Sequence, residues 1–299
     1  MPDKVNVQTS NKRGKKVAII GADGHIGNAL IKQLTKHEDL SLILTSRKTS
    51  QTKADEWLML NLNEKASWQR LHESEPDVVV LLAAMTQIAA CEQQPELARS
   101  LNVTATLALM TQFHEAGIPV IWLSTNQVFG CDKPFVAAEQ SFKPCSFYGQ
   151  LKAEVEQSIA EQGLNVAVIR PGKVIGPDFG LFQHWESQLL QGKTVEAFTD
   201  HVIAPVSLDR LLQLIERLVY SHVSGVYQLS GVEDLSYFEL IQRFIKFFGF
   251  SADNIAECRA LSKGVKPLAF GSLQPHSSDD LPLSGVPLDE VFNDYAKGR

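Results

Sequence analysis

Val17-Ala-Ile-Ile20-Gly21-Ala-Asp-Gly24-His-Ile-Gly27 is the stretch that decides the fold. Four apolar residues ending in glycine read as a buried strand, and the helical periodicity of Gly27 to Thr35 follows at once. A glycine loop between a strand and a helix is the place where a dinucleotide binds. Gly21 allows the tight turn, Gly24 lets the backbone approach a pyrophosphate, and Gly27 permits close helix–strand packing. The helix N-terminus adds N–H donors and a partial positive charge. The first two glycines are three residues apart, so the spacing departs from the G-x-G-x-x-G form. His25 inside the loop reads as a cofactor contact or as a solvent-facing filler.

Outward from this loop, strand and helix signals alternate as repeated βα units require. Ser41 to Thr45 reads as a second strand, Leu58 to Leu62 as a short third, and Pro76 to Ala84 as a fully apolar central strand. Glu96 to Ala116 reads as one long helix closed by Gly117, Val120 to Ser124 as the next strand, and Tyr148 to Gln162 as a helix closed by Gly163. Val166 to Ile169 follows and runs into Arg170-Pro171-Gly172. The pattern predicts an α/β fold of Rossmann type, a doubly wound parallel sheet with helices on both faces. The rhythm breaks after residue 171. Leu181 to Leu190 reads as a helix, Val202 to Val206 as a short strand, Leu208 to Val219 as an amphipathic helix, Val226 to Leu229 as a strand, and Tyr237 to Phe248 as a helix ended by Gly249. The expected organisation is a flexible N-terminal arm over 1–15, a nucleotide-binding domain over 16–171 plus about 206–225, and a smaller irregular C-terminal substrate lobe over about 172–205 and 226–299.

Composition narrows the function classes. The 299 residues, 44% hydrophobic and 21% charged, are those of an ordinary globular protein long enough to bury a full core. A net charge of −6 argues against a broad nucleic-acid or anionic-membrane surface. No apolar run approaches the roughly 20 residues that span a bilayer, and the polar, Lys-rich start has no signal-peptide core. The expected location is cytoplasmic. Cys91, Cys131, Cys145 and Cys258 show no paired spacing, and the eight histidines no ligand spacing, so no metal is expected. Arg210 and Arg217 read as the polar face of a helix, and Phe182 and Trp185 as core or pocket lining.

Three positions carry chemistry. Thr45-Ser46-Arg47-Lys48 ends the second strand with two cations and no carboxylate. A cation there accommodates a ribose 2′-phosphate and an acid would accept from a 2′-hydroxyl, so NADP(H) is favoured, with NAD(H) and a plain solvated turn as alternatives. Ser124-Thr125 closes a parallel strand at the carboxyl edge, where a hydroxyl can polarise a substrate carbonyl. Tyr148 and Lys152 lie four residues apart, on one face of the predicted helix. A phenol of pKa about 10 exchanges protons poorly near neutrality. An ammonium beside it favours the phenolate and makes the Tyr148 group a usable acid or base.

In order and approximate spacing, these segments resemble the extended short-chain dehydrogenase/reductase family. The resemblance extends over Ala83-Ala84, Cys91-Glu92, Asn102-Val103-Thr104, Ser124-Thr125, Pro144-x-x-x-Tyr148-Gly-x-x-Lys152 and Arg170-Pro171-Gly172. The nearest branch is that of the dTDP-4-dehydrorhamnose reductases and similar sugar-nucleotide-modifying enzymes, which Glu139, Val206-Ser-Leu-Asp209 and Gly225 to Ser230 also resemble. The resemblance implies Thr125 (with Ser124) on the substrate carbonyl, Tyr148 as proton donor, and Lys152 on Tyr148 and the nicotinamide ribose. It places Gly21, Gly24, His25, Ile26, Gly27, Ser46, Arg47, Asn61, Leu62, Ala83, Ala84 and Pro171 around the cofactor. Asn102 would fix the sheet region or a relay water, and Thr86, Asn126 and Gln127 would meet substrate.

Two departures stand out. Asn126-Gln127 replaces the Asp-Tyr of the reductases and the Asp-Glu of the 4,6-dehydratases, and amides exchange no protons in this range, which argues against dehydration. Asn61 stands where the family often has Asp toward adenine. The expected activity is NADPH-dependent reduction of a keto group on a sugar nucleotide. An NAD-linked epimerase and a non-catalytic NAD(P)-binding regulatory subunit are the alternatives. The expected partner is a small-molecule substrate, with no nucleic acid and no membrane, and a homodimer is a candidate state.

Overall fold

The computed structural model describes residues 14–47, 57–130, 132–221, 223–277 and 283–299. Residues 1–13 of the arm expected over 1–15, Lys48 and Cys131 lie outside the described residues, and the last residue of that arm, Lys15, already belongs to the first strand. Strand β1 (Lys15–Ile20) enters the glycine loop and helix α1 (His25–Leu34), and β2 (Leu40–Ser46) and β3 (Trp57–Met59) follow. After α2 (Gln69–Glu73), β4 (Val78–Leu81) leads through α3 (Ile88–Gln93) and α4 (Pro95–Arg99) into α5 (Thr106–Glu115). Next come β5 (Val120–Leu123), α6 (Phe147–Gln162) and β6 (Val166–Pro171). The remainder comprises β7 (Lys173–Ile175), α7 (Gly180–Leu190), β8 (Val195–Phe198), β9 (Val202–Ile203), β10 (Pro205–Ser207), α8 (Leu208–Ser221) and β11 (Gly225–Leu229). Strand β12 (Leu235–Ser236), α9 (Tyr237–Phe248), β13 (Ile255–Cys258) and α10 (Leu288–Ala296) complete the chain.

Seven strands form one parallel sheet in the order β11-β6-β5-β4-β1-β2-β3. This is the doubly wound order, which reverses direction at β1 and β4. The central strands are apolar because both faces are covered. Val17, Ile19, Val78, Val80, Ile121, Ala167 and Ile169 point to one core, shared with Leu30, Leu34 and the apolar stripe of α8. Their neighbours Ala18, Ile20, Val79, Leu81, Trp122 and Val168 point to the other, with Leu109, Phe113, Leu151 and Val155. An aromatic cluster extends the first core into the C-terminal region, where Phe182 stacks on Trp185 at 5.3 Å and meets Phe244 at 4.9 Å.

The structure departs from the predicted elements at identifiable places. The helix expected over 96–116 is divided into α4 and α5 by a π-helical turn at Ser100–Ala105, which contains Asn102. The third strand ends at Met59, because Asn61 accepts from Asn63 N–H and turns the chain. The strand expected over 202–206 is two strands. Val202–Ile203 pairs antiparallel with β12, and Pro205–Ser207 pairs parallel with β7. The domain boundary drawn at residue 226 cuts a strand, since Gly225–Leu229 pairs with β6 and belongs to the main sheet.

Candidate active site

The site is assembled along the carboxyl ends of β1, β2, β4, β5 and β6, where open parallel sheets bind ligands. Gly21 holds φ +88°, and a Cβ there would stand 2.8 Å from Ala83 N. The loop after β1 is thus pressed against the end of β4. A Cβ on Gly27 would lie 2.4 Å from Gly21 O, so the helix enters directly under the turn. Gly24 is the N-cap of α1 and provides no side-chain cap, which leaves first-turn N–H groups open to a phosphate. This cradle fits a dinucleotide pyrophosphate. His25 and Ile26 sit on its helical side, with His25 Nδ1 3.8 Å from Asp178 Oδ2.

At the end of β2, Ala22 N–H donates to Thr45 O (3.1 Å) and Ser46 Oγ donates to Asp23 Oδ2 (2.8 Å). Arg47 is exposed beside them. Asn61 is committed locally, its amide donating to Glu64 Oε1 at 2.6 Å, while Leu62 is buried in the core. Ala83 and Ala84 lie half-buried in the segment after β4, and Thr86 is exposed in the same segment. Asn102, buried within the π-helical turn, donates to Met85 O and accepts from Met85 N–H, both at 2.8 Å. Of the two roles implied for Asn102, the structure displays the fixing of this loop.

Tyr148 and Lys152 share the inner face of α6, both buried. Lys152 Nζ donates to Leu123 O at 2.8 Å and stands 4.3 Å from the Trp122 ring centroid and 5.8 Å from that of Tyr148. Helix α6 is seated on the segment that follows β5. Its N-cap Ser146 accepts from Gly149 N–H and donates to Gln127 Oε1 at 2.7 Å. A Cβ on Gly149 would lie 2.3 Å from Gln127 O, which explains a glycine next to the tyrosine.

The electrostatics differ from the expectation that Lys152 lowers the phenol. Burial pushes Tyr148 above its usual value and brings Lys152 down to about 7. Desolvation penalises each charged form, and for Lys152 it outweighs the nearby Glu156 carboxylate, which favours the ammonium. The phenol therefore keeps its proton near neutrality, as a donor requires. Among the described residues its hydroxyl has no hydrogen-bond partner in the protein.

Thr125 sits two residues beyond the Lys152 contact, and its Oγ1 accepts from Gln127 N–H at 3.2 Å. Ser124 is buried beside it. Its hydroxyl donates to Glu156 Oε1 at 2.5 Å. Asn126 and Gln127, expected to meet substrate, both make hydrogen bonds within the protein. Asn126 Nδ2 donates to Gly271 O (2.8 Å), and Gln127 holds the α6 cap.

Sequence reasoning missed Glu156, Arg170 as its partner, and Gln228. Arg170 Nη2 lies 2.6 Å from Glu156 Oε2, and its Nη1 donates to Ala138 O and to Gln228 Oε1. Gln228 Nε2 in turn donates to Val136 O and Gln274 O. The available signal was a charge, Glu156, one turn beyond Lys152 on the buried face of a helix. Pro171 is buried at the end of β6, where the chain leaves this network. Among the described residues no cluster of His, Cys, Asp and Glu could hold a metal, and no helix is long and apolar enough to cross a membrane.

With this geometry in place, the comparisons with known proteins are specific. The family described as RmlD substrate binding domain matches residues 15–269. The chain is 26% identical over 248 residues to the probable low-salt glycan biosynthesis reductase Agl14 of Haloferax volcanii, covering 76% of this chain and 81% of that protein. It is 25% identical over 242 residues to methionine adenosyltransferase 2 subunit beta of Rattus norvegicus, covering 77% of this chain and 71% of that protein. Among solved structures, dTDP-4-dehydrorhamnose reductase from Bacillus anthracis in complex with NADP superposes with a TM-score of 0.83 at 18% identity. The alignment covers 95% of this chain and 99% of the other. A strand-loop-helix cradle, a buried Tyr-x-x-x-Lys pair and a match over most of the chain agree: the protein belongs to the RmlD substrate binding domain family.

Proposed function

We propose that the protein reduces a keto group on a nucleotide-activated sugar, with NADPH as the preferred coenzyme. The observation that carries this reading is the pair Tyr148 and Lys152, buried on one face of α6 with a protonated phenol and with Lys152 anchored at the end of β5. The glycine cradle at Gly21, Gly24 and Gly27 holds the pyrophosphate, and Arg47 meets a 2′-phosphate. The coenzyme supplies a hydride when bound. The protein's part is positioning and proton delivery. Thr125 orients the carbonyl, and Tyr148 gives its proton to the carbonyl oxygen as charge develops there. Lys152, near its titration midpoint around neutral pH, stabilises the phenolate left behind.

Support for a sugar-nucleotide substrate comes from the reductase named among the solved structures. Cytoplasmic location and a homodimer remain part of the same proposal. The test is direct. Tyr148→Phe, which keeps the ring and removes the transferable proton, lowers kcat for NADPH consumption with a 4-keto sugar nucleotide by about 10²–10⁴-fold, with coenzyme affinity retained. Unchanged turnover would remove the site from catalysis.

A second reading is a non-catalytic NAD(P)-binding subunit. It is favoured by the scaffold use of Asn126 and Gln127 and by the relative named as a subunit. Coenzyme binding without turnover of any 4-keto sugar nucleotide, in wild type and Tyr148→Phe alike, would select it. Turnover with bound NAD and no net change in reduced coenzyme would instead select the epimerase.

A further inference from the structure

Strand β2 ends in Thr45-Ser46-Arg47 without a carboxylate of its own. A carboxylate nevertheless arrives there from elsewhere. Asp23, in the middle of the glycine loop, is exposed, and its Oδ2 accepts from Ser46 Oγ at 2.8 Å. The loop is registered on the strand by one further bond, Ala22 N–H to Thr45 O at 3.1 Å, and tied to helix α1 by Asn28 Nδ2 donating to Asp23 O at 3.0 Å. Asp23 is thus held over the carboxyl end of β2 by Ser46, and the exposed Arg47 follows Ser46 in the chain. Among the described residues Oδ1 has no partner.

In a doubly wound sheet the adenosine ribose of a dinucleotide lies at this strand end. An acidic group there accepts from the 2′-hydroxyl of NAD, and a cation accommodates the 2′-phosphate of NADP. We propose that Asp23, oriented by Ser46, is a coenzyme-specificity residue that acts against Arg47. Its free oxygen accepts from the ribose 2′-hydroxyl of NAD(H), and its charge repels a 2′-phosphate, which carries close to two negative charges near neutrality. Arg47 attracts that phosphate. The two side chains bring the affinities for NADH and NADPH close together, so that NADPH keeps only a small lead. The usual arrangement has one residue of either sign at the end of the strand. Here the acid comes from the glycine loop and the base from the strand.

This inference rests on the coenzyme reading proposed above. The experiment measures dissociation constants of NADH and NADPH for the full chain by nicotinamide fluorescence, in wild type, Asp23→Asn and Arg47→Ala. Asparagine keeps the hydrogen bond with Ser46 and removes the charge. The expected result is a wild-type preference for NADPH of less than about tenfold. Asp23→Asn should tighten NADPH and weaken NADH, so that their ratio moves by tenfold or more, and Arg47→Ala should move it the other way. A wild-type preference above a hundredfold, or a ratio unmoved by Asp23→Asn while both coenzymes still bind, overturns the role of Asp23 alone. Binding of neither coenzyme by wild type overturns the coenzyme reading, and this inference with it.

Discussion

Lys152 shows most directly how a functional residue is held at a cost to stability. Its pKa in the folded protein, about 7, lies below the ordinary lysine value because burial disfavours the ammonium. Between these two values the unfolded chain binds more protons than the folded one, so this residue makes stability rise with pH from about 7 upward, and the full penalty is present below 7. Replacing Lys152 by Met removes the penalty together with the bond to Leu123 O. The variant without coenzyme should therefore melt several degrees above wild type at pH 6, with the difference shrinking towards pH 9. Thermal unfolding across that range checks it, and a difference that does not vary with pH would count against a buried ammonium. The pair was legible in the sequence as a spacing, and its burial was not. The predicted lowering of the Tyr148 pKa failed because helical spacing reports which groups are neighbours and says nothing of how much water surrounds them.

Helix α6 shows why some elements could be read and their contacts could not. Its length, its glycine stop and its place after β5 follow from periodicity and local chemistry. The duties of Asn126 and Gln127 depend on partners remote in sequence, Gly271 for the first and Ser146 for the second. An amide in a sequence announces hydrogen bonding, and nothing in it says whether substrate or backbone takes the bond. The π-helical turn at Ser100–Ala105 escaped for the same reason, since Asn102 reaches back to Met85 across α3 and α4. The seating of α6 can be tested at Gly149. An added methyl group would meet Gln127 O at 2.3 Å, and backbone cannot yield as a flexible side chain does. Gly149→Ala should destabilise the protein by roughly 1–3 kcal/mol in urea unfolding. It should also lower kcat more than the same loss of stability introduced far from the site, because Tyr148 moves with the helix.

Across the whole molecule, a buried network joins the main sheet to α6 and to two loop segments. Glu156 on α6, Arg170 on β6 and Gln228 on β11 are each almost fully buried, and Gln228 reaches the loop segments at Val136 and Gln274. Removing one partner of such a pair leaves a buried charge without its counterion, at a cost of about 3–5 kcal/mol. Glu156→Ala should lose stability on that scale in urea titrations, and adding Arg170→Met should recover part of the loss, since the two changes are coupled. Additive losses would show that the charges do not depend on each other. The fold class was legible because each βα unit is local, whereas the strand at Gly225–Leu229 was drawn into the C-terminal lobe because its partner lies in β6, across helix α8 and the short strands before it. That strand has a consequence for how the chain comes to exist at all. Synthesis delivers Val166–Pro171 well before Gly225–Leu229. Until the later strand arrives, the earlier one presents a bare, apolar hydrogen-bonding edge, a template on which other nascent chains can add. The span between these two strands is the interval in which the growing polypeptide is most open to aggregation, and arrival of residue 229 ends it.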